Sequence, residues 1–187
     1  MATRDQHRER IAGLLSANLL KTGLSQTSLR QLAAAAEISD RMLLYYFNDK
    51  ADVIATTLSR IAAEMTILLA AAIPLNANLL PLEFAAKAAA VTQTKAIRPY
   101  MQLWIEVVAA ASRREHPYSD ISNLIALGFM EWIEFRLAGE AGYAKRANAS
   151  MILAMIDGFA VLDVCAGEGQ TRLAIEALQG LSLPRTI

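Results

Sequence analysis

Apolar residues recur along this chain at steps of three and four almost from end to end, the spacing that gathers side chains on one face of an α-helix. Ile11, Leu14, Leu15 and Leu19 form the first stripe, in a helix expected from about Thr3 to Lys21 and stopped by Gly23. Thr27 or Ser28 then stands where a cap belongs, ahead of Leu29, Leu32, Ala33 and Ala36 on one face of a short second helix. Ile38 is the apolar residue of a tight turn. Ser39 caps a third helix, in which Leu43 and Phe47 lie four apart on the buried side. Asn48 or Asp49 caps a fourth, whose stripe Ile54, Leu58, Ile61, Met65, Leu68 and Ala72 ends at Pro74. At 1.5 Å per residue this helix is roughly 35 Å long, enough to belong to one bundle at its start and another at its end.

The second half continues in the same mode. Pro81 suits a first helical position and opens a fifth helix to about Ile97. Pro99 opens a sixth, with Met101, Trp104, Ile105 and Val108 on one face, before the polar break Arg113-Arg114-Glu115-His116-Pro117. A seventh helix, about Ser119 to Leu137, and an eighth, about Ala144 to Ala166, are apolar on most faces, and such helices are usually buried. Gly167 and Gly169 precede a ninth, about Gln170 to Gln179. The chain is therefore expected to be all-α, about nine helices, dividing inside the fourth helix into residues 1–62 and 63–187.

Composition sharpens this picture without changing it. Among 187 residues, 55% are hydrophobic and only 6% aromatic, so alanine and leucine carry the apolar content, as a helical protein requires. The net charge is zero, which removes any global signature for nucleic acid. Locally, Arg4, Arg8, Arg10, Lys21 and Arg30 outnumber Asp5 and Glu9 up to residue 36, an excess that suits a surface near phosphates. One cysteine, Cys165, excludes an internal disulfide and fits a reducing compartment. The polar first ten residues do not read as a signal peptide, and the run Met151 to Ala166 is short and carries Asp157 and Asp163. A soluble, cytoplasmic protein without a membrane partner is expected.

The densest information lies in residues 28–47, two short helices across a tight turn with a small residue, Ala33, where they cross. That is a helix-turn-helix, whose second helix enters the DNA major groove. The run Leu29-Arg30, Leu32-Ala33, Ala36, Ile38-Ser39, Leu43, Phe47 and Lys50 resembles the DNA-binding motif of the TetR family of transcriptional regulators. The resemblance is detailed over the first third and covers only helical layout beyond it. Glu37 stands where the family has the turn glycine, Arg41 where it has another glycine, and Leu44 where it has tyrosine. Glycine tolerates positive φ and glutamate does not readily.

The resemblance implies a helix-turn-helix head joined to a helical domain that binds an effector and dimerises, acting as a regulator, expected here as a repressor. Candidate DNA contacts are Ser28, Arg30, Ser39, Arg41, Tyr45, Tyr46 and Lys50. Tyr46, Lys50 and Ser28 are expected on phosphates; Arg41 suits a guanine edge or a phosphate. Helices eight and nine carry more apolar surface than one protomer easily hides, so self-pairing through them is expected. Dimerisation sets two reading helices about 34 Å apart on a palindromic operator.

Catalytic or metal chemistry finds little support. His7 and His116 are far apart, Cys165 has no histidine partner, and Gly167-Glu168-Gly169 lacks the strand and third glycine of a dinucleotide site. No cofactor and no metal are expected, and the chain does not read as an enzyme. The oddity is acid inside apolar helices: Glu106, Asp157 and Asp163. Each either faces solvent or an arginine such as Arg98, Arg136 or Arg172, or serves as the polar handle of a cavity lined by Trp104, Phe129, Trp132 and Met155. The effector expected there is mainly apolar. The competing readings are a helical carrier or enzyme with a vestigial DNA head, and a ligand-independent activator or architectural DNA-binding protein.

Overall fold

Each of the first three helices starts at a side chain able to satisfy an orphaned backbone N–H. In the computed structural model, which describes residues 3–182, the Thr3 hydroxyl accepts from the Gln6 N–H and the Gln6 carboxamide accepts from the Thr3 N–H. The same reciprocal box joins Ser28 and Gln31, and Ser39 accepts from the Met42 N–H at 3.2 Å. The resulting elements are α1 Arg4–Thr22, a 3₁₀ turn Gly23–Gln26, α2 Leu29–Ala35 and α3 Asp40–Tyr46. They continue as α4 Lys50–Ala72, α5 Pro81–Thr92, α6 Arg98–Ser112, α7 Tyr118–Glu134, α8 Tyr143–Ala166 and α9 Glu168–Ser182. The architecture is all-α, with nine α-helices and no strand among the described residues; an isolated parallel bridge joins Leu79 to Leu137.

The chain forms two compact units: residues 1–65 with 103–125, and residues 66–102 with 126–187. In the first, α1, α2 and α3 pack on one another. Ile11, Leu15 and Leu19 of α1, Leu32 of α2, Leu43 of α3, Phe47, and Ile54 and Leu58 of α4 are all essentially inaccessible. Arg8 fixes this bundle from its edge: its guanidinium bonds Asp52 at 2.8 Å and Thr56 at 3.0 Å, and lies over the Phe47 ring. In the second unit, α5, α8 and α9 pack together. Small residues of α5, Ala85, Ala86, Ala88 and Ala89, are buried there, which permits close approach.

Several boundaries differ from expectation. Helix α5 stops at Thr92, whose hydroxyl bonds the Ala89 carbonyl, and residues 93–97 form turns before Arg98 opens α6. Helix α7 ends at Glu134, because the Leu79 N–H and carbonyl pair with the Arg136 carbonyl and Ala138 N–H instead of leaving them to a helix. Helix α9 already begins at Glu168, so Gly167 (φ 83) alone breaks the chain and Gly169 is helical. In α4 the buried face past Met65 runs through Leu69 to Ile73 just beyond the helix end, while Leu68 is exposed. By length and composition alone α4 and α8 are each apolar enough to cross a bilayer; α8 contains Asp163, buried and bonded to Arg98.

Candidate nucleic-acid interface

The turn between α2 and α3 decides how the candidate reading helix is presented. Glu37 adopts φ 58, the left-handed conformation its side chain disfavours. It is held there by a two-bond C-terminal cap: the Ile38 N–H bonds the Ala33 carbonyl at 3.0 Å and the Glu37 N–H bonds Ala34 at 3.1 Å. The glycine of the resembling motif is thus replaced without losing the turn. Glu37→Gly is expected to raise stability by about 1 kcal/mol, relieved left-handed strain outweighing the greater freedom of glycine in the unfolded chain. Thermal or urea unfolding reads this directly; unchanged or lowered stability would mean the turn carries no strain.

With the turn set, α3 buries Leu43, with Phe47 just beyond its end, and leaves Asp40, Arg41, Met42, Leu44 and Tyr45 exposed. Tyr45 is held edge-on against Tyr46, and its ring lies under the Arg4 guanidinium, which also donates to the Tyr45 carbonyl at 2.9 Å. Tyr46 is half-buried and reaches the His7 ring, so its outward freedom is smaller than that of Tyr45. Arg30 projects from α2 and Lys50 from the first turn of α4, both exposed. Ser28 and Ser39 are exposed too, but their hydroxyls already serve as caps. The seven candidates all belong to the first unit, on α2, α3, their caps and the start of α4. Of the N-terminal bases, Arg8 is bonded to Asp52 and stacked inward.

Glu106 has a structural task. Its Oε2 accepts from the Leu24 N–H at 2.7 Å, clamping α6 to the 3₁₀ turn after α1 within the first unit. Gly23, at φ 64, makes room: a Cβ there would sit 2.2 Å from Glu106 Oε1. The sequence showed only an acid in an apolar helix; its partner lies 82 residues away, and no local pattern points to it. Nearby, Tyr118 is buried; burial, and then the Glu115 and Glu106 charges, push the phenol up, against a lowering by Thr27.

Of the other two acids, Asp163 is 8% exposed and receives both Nε and a terminal nitrogen of Arg98 at 3.0 Å, an ion pair that Glu168 joins. Asp157 is half-buried. The aromatic candidates divide: Trp104 falls in the first unit, whereas Phe129, Trp132 and Met155 fall in the second with Asp157. All five are half-buried. Trp132 packs edge-on to Phe84 and lies under the Arg136 guanidinium, 3.9 Å from the ring centroid. Arg136 is itself buried, donating to the Ile73 and Trp132 carbonyls, and burial lowers its pKa. The Trp132 Nε1 is buried with no hydrogen-bond partner.

Helices α7 and α8, apolar on most faces, are not wholly buried in the single chain, and α8 and α9 leave apolar residues exposed, as expected of them. Leu124 and Leu127 of α7, Met151, Val161 and Val164 of α8, and Leu173 and Leu181 of α9 are exposed. Among the described residues no group of three or more His, Cys, Asp or Glu is placed to hold a metal ion.

The sequence matches no family model and no curated protein. Solved structures share the fold over nearly the whole chain. A transcriptional regulator from Rhodococcus sp. Rha1 is similar at 18% identity and TM-score 0.71, covering 94% of this chain and 95% of its own. A Rhodococcus sp. protein assigned to the TetR family of transcriptional regulators gives 12% identity and TM-score 0.71, covering 95% and 98%. The multidrug binding protein EbrR, complexed with proflavin, gives 20% identity and TM-score 0.68, covering 94% and 99%. The chain has the all-α fold of TetR-type regulators.

Proposed function

We propose that this chain is a cytoplasmic, homodimeric repressor that binds a palindromic operator through α3 and leaves it when a small effector binds the second unit. The observation that carries this is the presentation of α3. Leu43 and Phe47 anchor the helix, Glu37 holds the left-handed turn before it, and a face bearing Arg41, Leu44 and Tyr45 is left exposed. An exposed guanidinium on such a face suits a guanine O6 and N7, while Lys50 and Arg30 beside it suit phosphates.

The effector reading is supported by the fold that this chain shares with a ligand-bound protein. EbrR, of the same fold, is complexed with proflavin, an aromatic compound. By linkage the effector must bind the DNA-free form more tightly.

The test is operator selection from genomic fragments followed by titration of two variants. Arg41→Ala is expected to weaken specific binding by about 1–3 kcal/mol and to relax selectivity at one position per half-site. Lys50→Ala is expected to weaken all sequences alike and to reduce the salt slope by about one. An Arg41→Ala protein with unchanged affinity and sequence preference would mean that α3 does not read bases.

A further inference from the structure

A groove of about 540 Å³ opens in the first unit between the 3₁₀ turn, the start of α4, the end of α6 and the start of α7. Leu24, Ala109 and Ala110 give it an apolar lining, and Thr27, Lys50, Glu106, Arg113, Glu115, His116 and Tyr118 supply its polar groups. Its volume is that of a small-molecule site, not of a crevice for a single water.

Its charges are unevenly engaged. Glu106 is held by the Leu24 N–H, and Glu115 is paired with Arg113. Tyr118 is buried, and the Thr27 hydroxyl donates to the Leu24 carbonyl at 3.1 Å. Lys50 forms no ion pair among the described residues, and Arg113 has only its Nε on Glu115, which leaves the terminal guanidinium nitrogens. His116 lies 3.7 Å from Asp120 and is mostly exposed. Glu106 keeps its charge against the neutral Leu24 N–H and Glu115 already shares the Arg113 guanidinium, while the Lys50 ammonium and the terminal nitrogens of Arg113 remain for a guest. Two such donors, one on α4 and one in the turn after α6, match an oxyanion, which a fork and a point charge bind together.

We propose that this groove is an oxyanion site in the reading unit, taking a phosphate or carboxylate group of a small molecule held by Lys50 and Arg113. Its occupant competes with the operator backbone for Lys50. The competition rests on the reading of Lys50 as a phosphate contact; the site itself does not. Such a ligand would release DNA by taking one of its contacts, independently of any effector in the second unit.

Pyrophosphate is the probe, titrated into the isotope-labelled full-length protein at constant ionic strength, because DNA affinity is steeply salt-dependent. Saturable shifts are expected at the amides of Leu24, Thr27 and residues 109–116, and Arg113→Ala, an exposed position, should weaken them about tenfold. Pyrophosphate should also weaken operator binding by the wild type more than by Arg113→Ala, whose own operator affinity should be unchanged. Absent or unsaturable shifts overturn the site, as does binding that Arg113→Ala leaves intact. If Arg113→Ala loses operator affinity while pyrophosphate fails to bind, the groove belongs to the DNA backbone and the proposal is wrong. Operator binding by Lys50→Ala without pyrophosphate tests the DNA reading separately, so the two failures are distinguishable.

Discussion

Leu173→Glu is expected to give a folded monomer that no longer holds its operator. Leu173 is 56% exposed on α9, so the substitution removes little packing within the protomer. It lies on one of the two helices, α8 and α9, on which Val161, Val164 and Leu181 are also exposed. If those helices pair with their copies, a two-fold axis places the new carboxylate in the interface twice. Each copy loses the burial of a leucine, about 1.5–3 kcal/mol, and must also be desolvated or excluded. A combined loss of about 4 kcal/mol or more would raise the dimer dissociation constant roughly a thousandfold. Sedimentation should then show monomers with unchanged helical content, and operator affinity should collapse although α3 is intact, because one half-site supplies few contacts. A Leu173→Glu protein that remains dimeric would put the interface elsewhere. Leu162 is the weaker probe, since it is already half-buried in the protomer.

The helix starts were legible because their signals are local. Ser28 and Ser39 sit just ahead of apolar stripes and Thr3 ahead of a polar first turn, and each hydroxyl caps the helix that follows. Helix ends were less legible. Nothing near Thr92 forbids another turn, and the end of α7 is set by Leu79, far away in sequence. Leu68 and Leu69 show the limit of periodicity. Either continues the α4 stripe, and which one is buried depends on what the second unit packs against it.

The candidate interface was legible as a motif, since Leu32, Ala33, Leu43 and Phe47 are all buried and Arg41 and Tyr45 exposed. What escaped is the neighbourhood: the groove at Lys50 is completed by residues 106–118, more than 50 positions away, and α6 and α7 announce it by no spacing. The acids divided by the same rule. Arg98 stood among the foreseen partners of Asp163, but Glu106 found a backbone N–H, which sequence does not advertise.

Gly23→Ala should expose that hidden contact. Gly23 has φ 64, where an alanine is strained by about 1–2 kcal/mol. Its new Cβ would also lie 2.2 Å from Glu106 Oε1 and 2.7 Å from Cδ, far inside van der Waals contact. The backbone of the 3₁₀ turn is the stiffer party, so the carboxylate must swing away and release the Leu24 N–H. Glu106 is exposed, so water takes over part of the lost bond, and that step costs only about 1 kcal/mol. The total, about 2–3 kcal/mol, is a large share of the 5–15 kcal/mol typical of a domain. A double-mutant cycle separates the two parts. In a Glu106→Ala background the clash and the bond are both gone, and Gly23→Ala should then cost only its backbone strain. The coupling should be about 1 kcal/mol, as befits residues in direct contact. If Gly23→Ala costs the same with and without Glu106, the clamp between α6 and the turn after α1 contributes nothing to the stability of the first unit.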